Sequence, residues 1–347
     1  MKIEDLIRTN IKAMEPYSSA RDEYKDFGKK MIFLDANENP FDNKINRYPD
    51  PLQKKLKIKL ARIKKIDEKQ LLLGNGSDEV LDLLFRAFCE PNLDNVITLP
   101  PTYGMYGVLA NLSAIENREV LLTKDFQPNV EAILEQIDQQ TKIIFLCSPN
   151  NPTGNSFSDE SIVTLLQRFK GLIVIDEAYI DFSEKESWLK RLNEYPNLVI
   201  IQTLSKAFGM AGIRLGILYA SSEIISVLNK IKLPYNVNVL SQSKALDELI
   251  NYSNVIDKIC SINKEKEILF KVLLQVKFIK KVYPSDANFI LIEVDNALKR
   301  YNQLLERGIV IRNRSNQPLC ENCLRITVGT PEENIQLVNI LKSLQDA

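Results

Sequence analysis

The stretch Thr203-Leu204-Ser205-Lys206-Ala207-Phe208-Gly209-Met210-Ala211-Gly212-Ile213-Arg214 sets one lysine among small residues, just after an apolar run. Small neighbours let a flat ligand approach the backbone. A lysine in such a place could shed its charge by forming an imine with an aldehyde, which removes the cost of burying an ammonium. A surface lysine in a glycine-rich turn explains the segment equally well. Upstream, Asp176-Glu177-Ala178-Tyr179 closes the run Leu172-Ile173-Val174-Ile175. A carboxylate at the C-terminal end of a central parallel strand points into the ligand crevice of an open α/β sheet. There it could pair with a protonated ring nitrogen. Ser148-Pro149-Asn150-Asn151-Pro152-Thr153-Gly154 ends a third apolar run and offers neutral amide donors at the same rim. Gly74-Asn75-Gly76-Ser77-Asp78-Glu79 opens a helix pattern over 80–88, and its first free N–H groups suit a phosphate. It is not a Walker loop, since no Gly-Lys-Ser/Thr follows.

What is missing narrows the chemistry further. The 347 residues include no histidine. That excludes Ser-His-Asp and Cys-His catalysis, His-ligated zinc and any imidazole proton transfer. Lys plus Arg and Asp plus Glu both count 45, so the net charge is zero and no global basic field exists to hold nucleic acid or an anionic membrane. The run Lys54-Lys55-Leu56-Lys57-Ile58-Lys59 reads as a solvated helix face. No apolar stretch approaches the roughly 18 residues needed to cross a bilayer. The opening Met1-Lys2-Ile3-Glu4-Asp5 carries acids where a signal peptide needs bases, so a cytoplasmic protein is expected. Five scattered cysteines suit a reducing compartment, and Cys320-Glu321-Asn322-Cys323 reads as two plain thiols in a loop.

These residues need strands and helices to hold them. Residues 1–14 show an amphipathic helical spacing through Ile3, Leu6, Ile7, Ile11 and Met14. Residues 15–50 are rich in Pro, Asn and Asp and read as an arm. From 51 to 236, apolar runs at 143–146, 172–175 and 198–201 alternate with helical patterns such as 158–169. Unbroken apolar runs fit strands covered on both faces, and the alternation fits a mainly parallel sheet between helix layers. Residues 237–347 read as a smaller α+β domain, helical over 237–280, with short strands at 288–294, 308–312 and 324–328. Its last helix starts with Thr330, Pro331 and Glu333 in a capping-box arrangement.

Taken together, the segments resemble the fold-type I pyridoxal-phosphate aminotransferases, along essentially the whole chain. The Lys206 segment resembles their cofactor-lysine signature. The histidinol-phosphate aminotransferase branch is the nearest likeness. It is carried by Pro16-Tyr17-Ser18-Ser19-Ala20-Arg21, Asn37-Glu38-Asn39-Pro40, Arg47-Tyr48-Pro49-Asp50-Pro51, Gly308-Ile309-Val310-Ile311-Arg312 and Cys323-Leu324-Arg325-Ile326-Thr327-Val328-Gly329-Thr330. Phe41 replaces a frequent Tyr after Asn39-Pro40, and Ser77 stands where relatives often have Ala.

The resemblance implies an α/β fold with a seven-stranded, mainly parallel sheet between helices, a smaller α+β domain, and an arm at 1–50 that packs on the small domain and on a partner subunit. It implies pyridoxal 5′-phosphate as a Schiff base on Lys206, with Lys206 moving a proton, Asp176 on the ring nitrogen, and Asn151 and Tyr179 on the ring oxygen. Tyr103 would lie against the ring. Ser77, Asp78, Ser205 and Arg214 would form the phosphate site, with Tyr48 reaching it from the other subunit of a homodimer. Arg325 would anchor the substrate acid group, with Asn151 also touching substrate and Arg312 and Tyr17 assisting at a substrate phosphate; Arg314 could take the place of Arg312. The implied reaction is ping-pong transamination between L-histidinol phosphate and 2-oxoglutarate, in histidine biosynthesis, with no metal. The alternatives on the same fold are an aromatic or broad-specificity aminotransferase and a threonine-phosphate decarboxylase-like enzyme. A pyridoxal-phosphate-binding transcription regulator would need a DNA-binding domain ahead of the roughly 35 arm-like residues.

Overall fold

The computed structural model describes residues 2–17 and 31–344. The segment Ser18-Ser19-Ala20-Arg21 of the sequence reading lies outside the described residues. The larger sheet contains β1 (Leu71–Gly74), β2 (Asn95–Thr98), β3 (Glu116–Glu119), β4 (Thr141–Cys147), β5 (Leu172–Asp176), β6 (Leu198–Thr203) and β7 (Gly216–Tyr219). Its strand order is β1-β7-β6-β5-β4-β2-β3. β3, β2, β4, β5 and β6 run parallel, and β7 alone is antiparallel to its neighbours β6 and β1.

The continuously apolar runs are indeed the strands covered on both faces. Every residue of β5 and β6 is buried. Ile173, Ile175, Leu198 and Ile200 pack into the core on one face, with Ile144 and Leu146. Leu172, Val174, Val199 and Ile201 pack into the other, with Ile143 and Phe145. The polar edge strand β3, Glu116-Asn117-Arg118-Glu119, gives no hydrophobic signal, and charged side chains blunt its free edge.

Helix Ser77–Phe88 buries Val80, Leu81, Leu84, Phe85 and Phe88, the apolar face read from the sequence. Ser158 caps helix Asp159–Arg168 by accepting from the Ser161 N–H. Two helices, Val239–Ile250 and Tyr252–Leu273, fill the long helical stretch and break at Asn251. The second sheet has the order β10-β11-β9-β8, with β8 at Ile279–Val282, β9 at Phe289–Val294, β10 at Arg312–Asn313 and β11 at Cys323–Thr327. It is antiparallel throughout. The capping box of Thr330 and Glu333 starts helix Pro331–Ser343.

Five expectations need correction. The N-terminal helix is shorter than 1–14: a 3₁₀ turn at Ile3–Leu6 precedes helix Thr9–Ala13. It packs on the large sheet's helix layer rather than on the small domain, because Ile3 and Ile11 enter the core beside Leu84 and Leu228, and Arg8 pairs with Glu90 at 3.1 Å. The strand expected at 308–312 shrinks to Arg312–Asn313. Cys323 begins a strand instead of lying in a loop, and Lys57, in the run read as solvated, is buried.

Candidate active site

Three strand ends converge. β4, β5 and β6 are consecutive parallel neighbours, and Asn151, Asp176 and Lys206 stand at or just beyond their C-terminal ends, on the side where open parallel sheets bind ligands. One cavity there is lined by Ser77, Asp78, Tyr103, Asn151, Asp176, Tyr179, Ser205, Lys206 and Arg214. Those are nine of the sequence-derived cofactor residues. Cys147, Ala178 and Thr203 complete the lining.

Asp176 is the centre of the electrostatics. It is 3% exposed. One carboxylate oxygen accepts the Tyr106 hydroxyl at 2.8 Å, and the other accepts the Ala178 N–H at 3.0 Å. Burial pushes its pKa up to about 6, against the Tyr106 hydrogen bond, which pulls it down. Tyr106 is fully buried, stacked on Phe145 at 4.9 Å and edge-on to Tyr103 at 5.6 Å. The sequence reading missed Tyr106. The only available signal was its place three residues after Tyr103 at the start of a helix, Met105–Leu112.

Lys206 reaches over the Tyr179 ring, with Nζ 5.8 Å from its centroid. Burial, then the positive charges of Arg325 and Arg214, lower the pKa of its amine, while Asp176 opposes them. A neutral amine is therefore within easier reach than for a solvated lysine. Tyr179 is 7% exposed and its phenol is held protonated by burial.

The opposite end of the cavity is a helix start. Gly76 takes φ +85 before Ser77–Phe88, and a Cβ there would meet the Arg214 guanidinium at 2.6 Å. Gly216 on β7 comes so close that a Cβ would lie 2.3 Å from the Ser77 N. Gly76 leaves room for the guanidinium of Arg214, itself left-handed at φ 52, and Gly216 lets the helix start press close to β7, so that free helix N–H groups and a cation share this end of the cavity. Asp78 accepts the Tyr103 hydroxyl at 3.0 Å and lies 3.8 Å from Arg214.

Arg325 arrives from the second sheet. Its guanidinium donates to the Asn151 side-chain oxygen, stacks 5.0 Å over Phe289, and leaves Nε without a partner. Burial and the neighbouring Arg314 lower its pKa. Arg312 pairs in register with Arg325 but is exposed, whereas Arg314 is half-buried with an unpartnered Nε. Tyr17 is 73% exposed, and Tyr48 stacks on Tyr235 at 4.5 Å. Neither Tyr17, Tyr48 nor Arg312 lines this cavity within the single chain. Asn150 is structural, bonded to Pro101 and Thr153. Glu177 accepts from Ser187, Trp188 and Gln202, and Asp181 pairs with Lys64, so neither enters the cavity. The Asn151–Pro152 peptide is cis.

The arrangement fits a phosphate-bearing pyridine aldehyde. Asp176 is a buried carboxylate with no ion-pair partner among the described residues, a costly state unless a cation joins it. A protonated ring nitrogen supplies that cation. The Gly76–Ser77 helix start with Arg214 suits a phosphate, and Lys206 lies between with an amine of lowered pKa.

A fold, a lysine and a carboxylate so disposed define an aminotransferase of the pyridoxal-phosphate kind. The family model "Aminotransferase class I and II" matches residues 23–341, and the chain belongs to that family. It is 68% identical over 343 residues to the histidinol-phosphate aminotransferase of Flavobacterium johnsoniae, covering 99% of this chain and 98% of that one. It is 62% identical to the enzyme of the same name from Christiangramia forsetii, with 99% and 98% covered. Among solved structures, the histidinol-phosphate aminotransferase of Clostridium acetobutylicum superposes with a TM-score of 0.80 at 26% identity, over 87% of this chain and 91% of that one. The Sinorhizobium meliloti enzyme of that name, in complex with pyridoxal-5′-phosphate, shares the fold, with a TM-score of 0.78 at 22% identity, covering 86% and 83%.

Proposed function

We propose that this chain is a pyridoxal-phosphate-dependent histidinol-phosphate transaminase. It moves an amino group between L-histidinol phosphate and 2-oxoglutarate, giving imidazole acetol phosphate and glutamate, by a ping-pong sequence in histidine biosynthesis. The observation that carries the reading is the placement of Asp176 at the end of β5 and Lys206 just beyond the end of the adjacent β6, in one cavity, with the Arg325 charge from the second sheet close enough to act on Lys206. The identity to enzymes of that name over nearly the full chain supports the substrate.

When bound, pyridoxal phosphate withdraws electrons from the Cα–H bond of the amino substrate. The chain does the rest. Asp176 holds the ring nitrogen protonated, and its two hydrogen-bond donors fix its orientation. Lys206 Nζ, lowered in pKa, takes the proton from Cα and would deliver it to the cofactor's former aldehyde carbon. Asn151 and Tyr179 orient the ring oxygen, Tyr103 covers the ring, and Ser77, Asp78, Ser205 and Arg214 hold the phosphate. Arg325 anchors the acid group of either substrate, because its planar fork matches carboxylate and phosphate alike. Arg312 and Tyr17 assist at the substrate phosphate.

The chain divides at 50 and 236 into arm, cofactor domain and small domain. It works as a homodimer in the cytoplasm, with Tyr48 crossing to the partner's phosphate site. The exposure of Tyr48 supports the crossing, and five free cysteines support the compartment. No helix among the described residues is long and apolar enough to cross a membrane. The deciding experiment is the half-reaction followed by absorbance. L-histidinol phosphate should convert the cofactor at least about a hundredfold more efficiently than histidinol or phenylalanine, a gap of about 2.7 kcal/mol. Equal conversion of all three would indicate a broad aminotransferase, and carbon dioxide release from threonine phosphate a decarboxylase.

A further inference from the structure

Away from the active site, a cleft of about 420 Å³ opens between helix Lys54–Lys64, the turn Glu68–Gln70 and helix Ser222–Ile231. That volume falls within the range of small-molecule sites. Its polar wall is Lys54, Lys57, Lys69, Ser222, Ser226 and Asn229, against a single acid, Glu68. Ser222, Ser226 and Asn229 are four and three residues apart, so they form one row along a helix face. None of these residues lines the catalytic cavity.

Two of them are out of balance. Lys57 lines the cleft yet is only 8% exposed, and its amine has no hydrogen bond or ion pair among the described residues. Nearby Asp50 and Glu68 attract it only at a distance, and Lys232 repels it. Lys232, by contrast, is tied to Pro51, Leu233 and Asn236. Asn229 holds a buried side-chain oxygen with no partner. Turned about Cβ–Cγ, the same carboxamide offers its NH₂ group in that position. The Lys57 amine keeps a small contact with solvent through the cleft, so an acceptor for its protons has to come from there.

We infer that this cleft is a second ligand site, which takes a small oxyanion on the Lys57 amine. Lys54 and Lys69 add charge at the rim, and Ser222, Ser226 and Asn229 donate along the helix face. The ligand class is a free phosphate-type or polycarboxylate anion of metabolite size. Hydroxyls and amide groups along the wall suit oxygen-rich groups, and the three lysines suit more than one negative charge. Burial and Lys232 bring the Lys57 pKa down to about 8. An empty site therefore presents a nucleophilic amine near neutral pH, and an anion seated on it would hold the proton on and shield it.

That difference can be read locally. The holoenzyme is pulsed with acetic anhydride at pH 8, and acetylation of each lysine is quantified by peptide mass spectrometry. Pyrophosphate and citrate are added in separate arms, with chloride at matched ionic strength as control. The expected result is at least a fivefold, saturable slowing at Lys57 in one or both arms, with Lys280 on the exposed face of β8 unchanged. Protection by pyrophosphate alone assigns a phosphate ligand, and by citrate alone a carboxylate one. The double variant Ser226→Ala/Asn229→Leu keeps Lys57 as reporter and should lose the protection. Lys57 labelling that follows Lys280 in every arm, or protection that survives the double variant, would overturn the inference.

Discussion

At Asp176 the fold leaves a carboxylate only 3% exposed, at the wall of the cavity, and gives it two hydrogen bonds but no ion pair among the described residues. Its carboxyl binds a proton more tightly in the folded chain, with a pKa near 6, than at its ordinary value of 3.8. The sign follows: its contribution to folding is most favourable below about pH 4 and is lost as pH rises through 6. Asp176→Asn should therefore stabilise the cofactor-free protein at pH 8 by on the order of 2 kcal/mol, with the gain vanishing toward pH 4. Urea unfolding at the two pH values measures this. The same variant should lose at least about a hundredfold in turnover, since the neutral amide cannot hold a ring cation. Lys206, Asp176 and Asn151 stood out in the sequence because each follows an apolar run that fits a covered strand, and the resemblance gave them their roles. Tyr106 did not, because its hydroxyl meets Asp176 only after helix Met105–Leu112 has packed against β2, β3 and helix Ser77–Phe88.

On the proposed reading, cofactor affinity rests on the junction of β1 with helix Ser77–Phe88, pressed against β7. Gly216 allows that contact: a Cβ would lie 2.3 Å from both the Gly76 carbonyl carbon and the Ser77 N. Gly216→Ala must push the helix start away from the cavity, at a cost of about 1–3 kcal/mol. We expect pyridoxal phosphate to bind roughly 10- to 100-fold more weakly, by fluorescence titration, with little change in far-UV circular dichroism. The helix start was visible in Gly74-Asn75-Gly76-Ser77, but the tight approach of β7 was not. Gly216 has no local signature, and its partner lies 140 residues earlier. β3 escaped the sequence reading and β10 was expected too long, both for another reason. One is polar throughout and the other is two residues long, so neither leaves a hydrophobic period.

For the whole molecule, the single chain keeps two of the expected site residues apart from the cavity. Tyr48 and Tyr17 are exposed and outside the cavity, and the arm residues from Ala36 to Pro49 line an open groove with Tyr235, Asn238 and Leu240. Residues proposed to act across a subunit boundary make no contact with the cavity within one chain, so their roles are read only by resemblance. If Tyr48 serves the partner, the inactive variants Tyr48→Ala and Lys206→Ala should rescue each other when unfolded and refolded together. Half of the sites in each hybrid dimer would then carry both native residues, and activity should reach about a quarter of the native value for random 1:1 pairing. Dimers of either variant alone should stay near background.

The account stands on the covalent tie between Lys206 and the cofactor. Reduction of the purified, yellow holoenzyme with labelled borohydride, followed by peptide mapping, tests it most directly. One labelled pyridoxyl group per chain, on the peptide containing Ser205-Lys206-Ala207, is the predicted result. A label on any other lysine, or a protein that takes up none after incubation with pyridoxal phosphate, would contradict it.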